Sequence, residues 1–450
     1  VEAVAVTEQG ALRGLRIGAL LHFRGIRYAS APRFAEPAAL AERWQGERDA
    51  TRHGPICPQL PLPRGMVMGD PSPAEQGEDC LSLSVVTPAA DAARRPVMVW
   101  LHGGAYVVGA GSYEWYRPDA LVGEGDVVAV NVNYRLGVFG YLRMQGVCPG
   151  NLGLLDQLAA LRWVRRNIAA FGGDPDNVTV FGQSAGGHSI VALMSIAESR
   201  GLFRRAIVQS AQLGLGFTTI KAAERVGRVM ARSLHGLDPR DAVVEQLLSA
   251  QGAALIELAG PGGLNSAPPF GPIVGVPPLA LRPARDVAGG IAHRQADLII
   301  GSTREEMRAY FDVNPLLVRL RALPGAGAIV LRALTAGVTK AVFGEPARRL
   351  ADAHARGGAA SVYLYAFDWA PRTGGYGACH TIELPFVFGD AAAWRASPML
   401  AGTPAADLEA LGRAMRRAWT RLARHGDPNT SGEPEWPAHR PSAAPGRHFA

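Results

Sequence analysis

Asn177-Val-Thr-Val-Phe-Gly-Gln-Ser-Ala-Gly-Gly-His188 is the stretch whose reading settles the architecture of this chain. Val178 to Phe181 is a short apolar run of the kind that forms a strand buried on both faces. The run breaks at Gly182-Gln-Ser184-Ala-Gly186, and a helical pattern follows from His188 to Ile196. Strand, sharp turn and helix together are the context in which Gly-x-Ser-x-Gly forms a nucleophile elbow. Such a turn is strained, so the residues flanking the serine must be small; Gly182, Ala185 and Gly186 meet that demand. Ser184 is thereby expected at a strand's carboxyl end, over a helix N-terminus whose free N–H groups favour developing negative charge. In a chain with 54 Gly the five-residue motif alone is weak, and its bland reading is a turn with an idle serine. The flanks, from the turn cluster Phe171-Gly-Gly-Asp-Pro-Asp-Asn177 onward, favour the nucleophile.

Working outward, the same alternation recurs. Pro96–Leu101 and Val127–Val132 read as buried strands, Leu154–Phe171 as a helix, and Ala206–Gln209 and Asp297–Ile300 as further strands. Strands alternating with helices predict crossover connections and a mostly parallel sheet. Val4–Thr7 and Leu20–Tyr28 read as an antiparallel flank. The rhythm changes over 212–283, expected to be an insertion forming a lid or pocket wall, and again over a second helical insertion, 316–355. Ser361–Phe367 is an aromatic strand and Ala406–His425 an amphipathic helix. No repeat or linker divides the chain, so residues 1–450 are expected to form one domain.

Composition narrows the function. A 48% hydrophobic fraction fits a globular protein with a large core. No apolar run approaches 18 residues, so no membrane span is expected. The net charge of +7 is carried by scattered arginines, without a basic run interleaved with aromatics, which argues against nucleic-acid binding. Val1-Glu-Ala-Val lacks both a basic leader region and an initiator Met; either a signal peptide has been removed or the numbering starts inside a longer chain. Cys57 and Cys80 bracket a Pro-rich loop, with no zinc spacing nearby. They are either a disulfide, which would point to an oxidising compartment, or two reduced thiols of a cytoplasmic enzyme. Cys148 and Cys379 look unpaired.

A serine nucleophile needs a base, and the base needs an orienting group. Of the five histidines beyond the strand at Asp297, His354 lies on a charged helical face and is expected in solvent. His425 ends a helix, and His439 and His448 lie in a Pro-rich tail. His380 follows the aromatic strand and the flexible loop Thr373–Cys379, where a general base belongs. For the acid, Glu305 and Glu306 stand side by side after the strand at Asp297, and residue chemistry alone does not separate them. The loop His102-Gly-Gly-Ala-Tyr106 after a buried strand has the small residues that let backbone N–H groups reach an oxyanion. His102 itself is expected to be structural.

With these motifs in place the chain resembles the type-B carboxylesterases, the branch of the α/β-hydrolases that includes cholinesterases and bacterial para-nitrobenzyl esterases. Phe23-Arg-Gly-Ile-Arg-Tyr28, Glu78-Asp-Cys-Leu81, Asn133-Tyr-Arg-Leu-Gly137 and Gly150-Asn-Leu-Gly-Leu-Leu-Asp-Gln157 are similar to family motifs, and Phe171 to Gly186 fits the serine signature throughout. The resemblance implies an α/β-hydrolase fold: a central, mostly parallel twisted sheet flanked by helices, with helical insertions over the active-site edge. It implies Ser184 as nucleophile, Glu306 as acid, His380 as base, and an oxyanion hole at Gly104, Ala105 and Ala185. Ser210 and Glu383 match a buried polar pair behind the triad, Arg33–Glu78 and Arg135–Asp156 structural ion pairs, and Cys57–Cys80 a disulfide, with a lean to an extracytoplasmic location. The implied activity is carboxylic-ester hydrolysis through an acyl-enzyme on a small-molecule ester, with no cofactor and no metal; a monomer is the expectation. The alternatives are an amidase or carbamate hydrolase using the same triad, or a non-catalytic cholinesterase-like binding protein.

This sequence departs from the family at Thr381, where a glycine is usual after the histidine, and at Glu305 and Met307 beside the glutamate. The loop Pro58–Asp79 has no aromatic residue and position 183 is Gln, so choline selectivity has no physical source. Tyr106, Trp115, Phe217, Phe270 and Phe311 are candidates to line the pocket.

Overall fold

The computed structural model describes residues 2–61, 67–259, 268–279, 296–312, 315–321, 323, 326–358, 360–373, 376–443 and 446–450. Residues 260–267 and 280–283 of the first expected insertion, 322 and 324–325 of the second, and 374–375 of the loop before His380 lie outside them.

The strands are β1 (Glu2–Val6), β2 (Ala11–Ile17), β3 (Leu20–Arg27), β4 (Glu47–Asp49), β5 (Ser82–Thr87), β6 (Arg95–Leu101), β7 (Val128–Val132), β8 (Gly173–Gln183), β9 (Arg205–Gln209), β10 (Asp297–Thr303), β11 (Val362–Phe367) and β12 (Arg447–Phe449). They form one sheet in the order β1-β2-β3-β5-β7-β6-β8-β9-β10-β11-β12, with β4 paired to β2. Pairing is antiparallel from β1 to β7 through β5 and parallel from β7 onward. The period of two along each strand divides the core between the two faces. Val97, Val99 and Leu101 of β6 point into one core with Leu158, Val164 and Ile190. Met98 and Trp100 point into the other, with Leu121, Met415 and Trp419. Both faces are covered by helices, as a parallel sheet requires.

The C-terminal helix spans Ala405–His425 and ends at Gly426, whose φ of +76° lets its N–H return to Leu422 O. His354 is buried, contrary to expectation: its helix packs against β10 and β11, and its Nε2 bonds Ala296 O at 2.8 Å. His439 is buried too, 2.7 Å from Asp352. One helical run, Gly327–Arg356, is long and apolar enough to cross a membrane by length and composition alone. Its buried residues include Leu331, Thr335, Thr339 and Phe343, and Phe343 faces the His380 ring.

Arg135 and Asp156 form the expected ion pair, bidentate at 2.8 and 2.7 Å, with the carboxylate also accepting the Arg135 N–H. Both are buried. Removing one partner strands a charge in the core, so Asp156→Ala is expected to cost about 3–5 kcal/mol in urea unfolding. Arg33 also pairs with Glu78.

The expected disulfide is not formed. Cys57 and Cys80 are buried free thiols, as are Cys148 and Cys379. Cys80 is hydrogen-bonded to Cys57, and this contact, with burial, pushes its thiol well above the usual range. Cys57 Sγ in turn accepts the Leu136 N–H at 3.2 Å. The loop between them is closed by other means: Ile56 N–H bonds Glu75 O, Gly77 N–H bonds Ile56 O, and Glu78 is held by Arg33.

Candidate active site

β8 delivers Ser184 to the sheet's carboxyl edge. Gln183 pairs with Gln209 of β9, and the Ser184 N–H donates to Gln209 O at 2.9 Å. The serine sits at φ 57°, ψ −122°, a conformation costing about 1–3 kcal/mol. The glycines explain why it is tolerated. A Cβ on Gly186 would stand 1.9 Å from Leu101 O, and one on Gly182 would stand 2.8 Å from the carbonyl carbon of Gly186. Strand and helix therefore close on each other only with hydrogen at both positions. Ser184 O then accepts the His188 N–H at 2.8 Å and starts the helix Ala185–Met194.

β10 and β11 are parallel neighbours, so the loops leaving their carboxyl ends meet beside the elbow. His380 Nδ1 donates to Glu306 Oε2 at 2.5 Å, and Glu306 Oε1 accepts the Thr303 N–H at 2.8 Å. Both side chains are buried. Burial pushes the His380 imidazole down; the charge and hydrogen bond of Glu306, with Glu383 behind, more than offset it and raise it above its ordinary value. The two adjacent carboxylates are now distinguishable. Glu305 bonds Arg308 at 3.0 Å and the Ala378 N–H at 3.0 Å, pointing away from the imidazole's partner.

Ser184 and His380 line the same cavity. Among the described residues, no hydrogen bond joins the Ser184 hydroxyl to the ring. The Gln183 amide lies against the ring, its Nε2 3.1 Å from His380 Nε2 and 3.5 Å from Nδ1. Catalytic hydrogen bonds are commonly loose before substrate arrives.

The loop after β6 is bent by left-handed residues: Gly104 at φ 118°, Ala105 at 52° and Tyr106 at 64°. A Cβ at Gly104 would overlap Val108 O at 1.9 Å. Among the described residues, the N–H groups of Gly104, Ala105 and Ala185 have no internal acceptor, so they remain available to an incoming oxygen. Tyr106 anchors the loop from below through Ser189 Oγ at 3.3 Å and His188 Nδ1 at 3.0 Å. His102 is structural, stacked on Tyr134 with Nδ1 at 2.7 Å from Gly103 O.

Behind His380, Ser210 Oγ donates to Glu383 Oε1 at 3.2 Å. Burial, then the charge of Glu306, raises the Glu383 carboxyl to about 7. Thr381 takes φ +77°, which explains the glycine usual there: a β-branched residue is strained in this region. Thr381→Gly is therefore expected to raise stability by about 0.5–1 kcal/mol after the glycine's own entropy cost, measured by urea unfolding.

Two connected lobes open at the serine. One, about 300 Å³, is walled by Leu215, Leu255, Leu258, Met307 and Phe343. The other, about 370 Å³, is walled by Leu60, Met68, Tyr113, Trp115 and Tyr116. Among the described residues, neither has a charged lining residue apart from His380. Of the five aromatics proposed from sequence only Trp115 lines them. Tyr106, Phe270 and Phe311 are buried in the cores, and Phe217 stacks on His188. A larger groove of about 930 Å³ beside Met144, Cys148 and Arg228 is lined by none of these site residues. Among the described residues no cluster of His, Cys, Asp or Glu could hold a metal ion.

Residues 1–316 and 326–448 match the model of the carboxylesterase family. The chain belongs to the carboxylesterase family. It is 44% identical over 437 residues to a probable N-octanoylanthranilate hydrolase of Rhodococcus erythropolis, covering 96% of this chain and 95% of that one. It is 34% identical to the para-nitrobenzyl esterase of Bacillus subtilis strain 168, covering 97% and 92%. Among solved structures, a thermophilic para-nitrobenzyl esterase superposes with a TM-score of 0.84 at 34% identity, covering 98% and 94%. Carboxylesterase EST55 of Geobacillus stearothermophilus superposes with a TM-score of 0.81 at 36% identity, covering 97% and 94%. This carboxylesterase has the α/β-hydrolase fold and is a carboxylic ester hydrolase, an enzyme rather than a binding protein. Sequence reasoning missed Gln183 as a neighbour of His380, having weighed position 183 only against choline selectivity.

Proposed function

We propose that this enzyme cleaves neutral, apolar small-molecule esters through a Ser184–His380–Glu306 triad. The observation that carries the reading is the 2.5 Å bond between His380 and Glu306 beside a cavity that also exposes Ser184. Ser184 Oγ attacks the carbonyl as its proton passes to His380 Nε2. The oxyanion is held by the N–H groups of Gly104, Ala105 and Ala185, each worth about 2.7–4 kcal/mol in such sites. His380 then protonates the leaving alcohol, and water repeats the cycle on the acyl-enzyme. Glu306 orients the ring and stabilises the imidazolium; Glu383 and Ser210 support it from behind.

The segments 212–283 and 316–355 act as pocket walls in this reading, supported by Leu215, Leu255, Val342 and Phe343 along the cavity. The uncharged lining favours aliphatic acyl chains and aromatic alcohols. A panel of para-nitrophenyl esters from acetate to laurate tests this, with kcat/KM expected to peak at medium chain length; flat or undetectable turnover would overturn it. A second reading, hydrolysis of N-acylated aromatic amines, is favoured by the similarity to the probable N-octanoylanthranilate hydrolase. Matched octanoyl ester and octanoyl anilide substrates separate the two.

A further inference from the structure

Half of the large apolar side chains left exposed among the described residues fall within one stretch of 25: Tyr310, Val318, Leu323, Ile329, Val330 and Leu334. Globular surfaces scatter such residues singly, and a cluster of them marks an interaction surface. The helix Gly327–Thr339 carries three of the six. It is apolar on nearly every side, and a helix of that composition is ordinarily enclosed all round. Here only 28% of the most apolar stretch of Gly327–Arg356 is buried. The inner side is accounted for: Leu331 packs with Met307, Phe311 and Phe343 in a small core of their own. Met307 and Phe343 also wall the smaller lobe of the cavity. The helix is therefore part of a thin wall, with the cavity behind it and Ile329 standing 62% exposed in front. Tyr310 is half-exposed and lines both lobes, so the apolar surface reaches the rim of the cavity.

The charge on this segment is one-sided. Residues 313–344 contain Arg319, Arg321, Arg332 and Lys340 and no Asp or Glu. Arg319, Arg332 and Lys340 are exposed, and Lys340 reaches the nearest acid, Glu345, only at 3.9 Å. Apolar side chains projecting among cations suit a negatively charged lipid surface: the apolar groups enter the acyl boundary while the cations stay with the headgroup phosphates. The same charges disfavour a second copy of the chain as the occupant. A two-fold contact would bring two sets of these cations together, with no acid within 313–344 on either side to pair them. We propose that the outer face of the helix Gly327–Thr339 docks on anionic phospholipid membranes, with Ile329, Val330 and Leu334 entering the interface and Arg332 and Lys340 resting on the phosphates. The helix Pro315–Arg321, packed on it, adds Val318 and Arg319. The run lies on the bilayer and does not cross it: its inner side is held by Leu331 and Phe343, and its second half carries Glu345, Arg348, Arg349 and Asp352. Docking brings the Tyr310 rim of the cavity toward the phase into which apolar esters partition.

The test uses the intact enzyme and lipid vesicles. Vesicles of phosphatidylcholine with phosphatidylglycerol are expected to pellet the protein, phosphatidylcholine alone to leave most of it in the supernatant, and added salt to release it. Ile329→Ser combined with Leu334→Ser is expected to weaken binding about tenfold or more, and Arg332→Glu to weaken it at low salt. All three positions are exposed, so turnover of a water-soluble para-nitrophenyl ester is expected to stay at the parent's level and reports that the variants are folded. The proposal is overturned if the parent ignores the anionic vesicles, if it binds neutral ones equally well, or if the double variant binds as the parent does. Sedimentation velocity showing a dimer that the double variant abolishes would also overturn it, in favour of a second copy. Ser184→Ala is expected to bind vesicles like the parent, so failure of the triad reading leaves this result untouched.

Discussion

Ser184→Ala is expected to reduce kcat on para-nitrophenyl esters by about 10⁵–10⁶-fold and to abolish labelling by a fluorophosphonate. The size of the effect follows from how the three groups act together. Without the hydroxyl, the base and its carboxylate have nothing to activate, and only the oxyanion donors and substrate binding remain. KM is expected to change little, because the cavity walls are untouched. Stability should change little: the strain at φ 57°, ψ −122° persists with any Cβ, and the hydroxyl makes no hydrogen bond among the described residues whose loss would cost energy. A folded variant that still takes up the fluorophosphonate would remove Ser184 from its role.

The second large effect is expected at the acid. Glu306→Gln should lower kcat by about 10⁴-fold with KM nearly unchanged. Glu306 makes two bonds, accepting from Thr303 N–H at 2.8 Å and from His380 Nδ1 at 2.5 Å. An amide can satisfy Thr303 with its oxygen, and then presents N–H to the ring. That forces the proton onto Nε2, the nitrogen that must be bare to act as base. The pH profile gives an independent check. In the parent, His380 titrates above its ordinary value because Glu306 favours the imidazolium. Activity needs the neutral ring, so it is lost as pH falls through that raised value, and in the variant the acidic limb should move to lower pH. Glu305→Gln is the control. It gives up the Arg308 pair and the Ala378 contact, costing about 1 kcal/mol of stability or less, with kcat close to the parent. A larger kcat loss at 305 than at 306 would reverse the assignment.

The elbow was legible because its constraints are local. Gly182 and Gly186 must lack side chains for the strand and helix to meet, and that requirement is written in five consecutive residues. β6 and β10 were legible for a similar reason, since burial on both faces makes Pro96–Leu101 and Leu298–Ile300 unbroken apolar runs. β2 and β12 were not. Ala-Leu-Arg-Gly-Leu-Arg-Ile has a glycine at its centre because a Cβ on Gly14 would press on His22 O of β3, and Arg447–Phe449 borrows its pairing from β11. Burial of His354 likewise escaped notice. Its helix is rich in Arg, and only the packing of one side against the sheet shows which residues leave water.

The local pattern of small, apolar and turn-forming residues was enough to set the strand–turn–helix at Ser184, the run of parallel strands and the position of each candidate along the chain, because these depend on conformational preferences within a few residues. Which of Glu305 and Glu306 meets His380, whether Cys57 and Cys80 are bridged, and that the Gln183 amide packs against the His380 ring depend on distances between segments up to 197 residues apart. Those distances exist only once the sheet has assembled and brought the carboxyl ends of β8, β10 and β11 side by side.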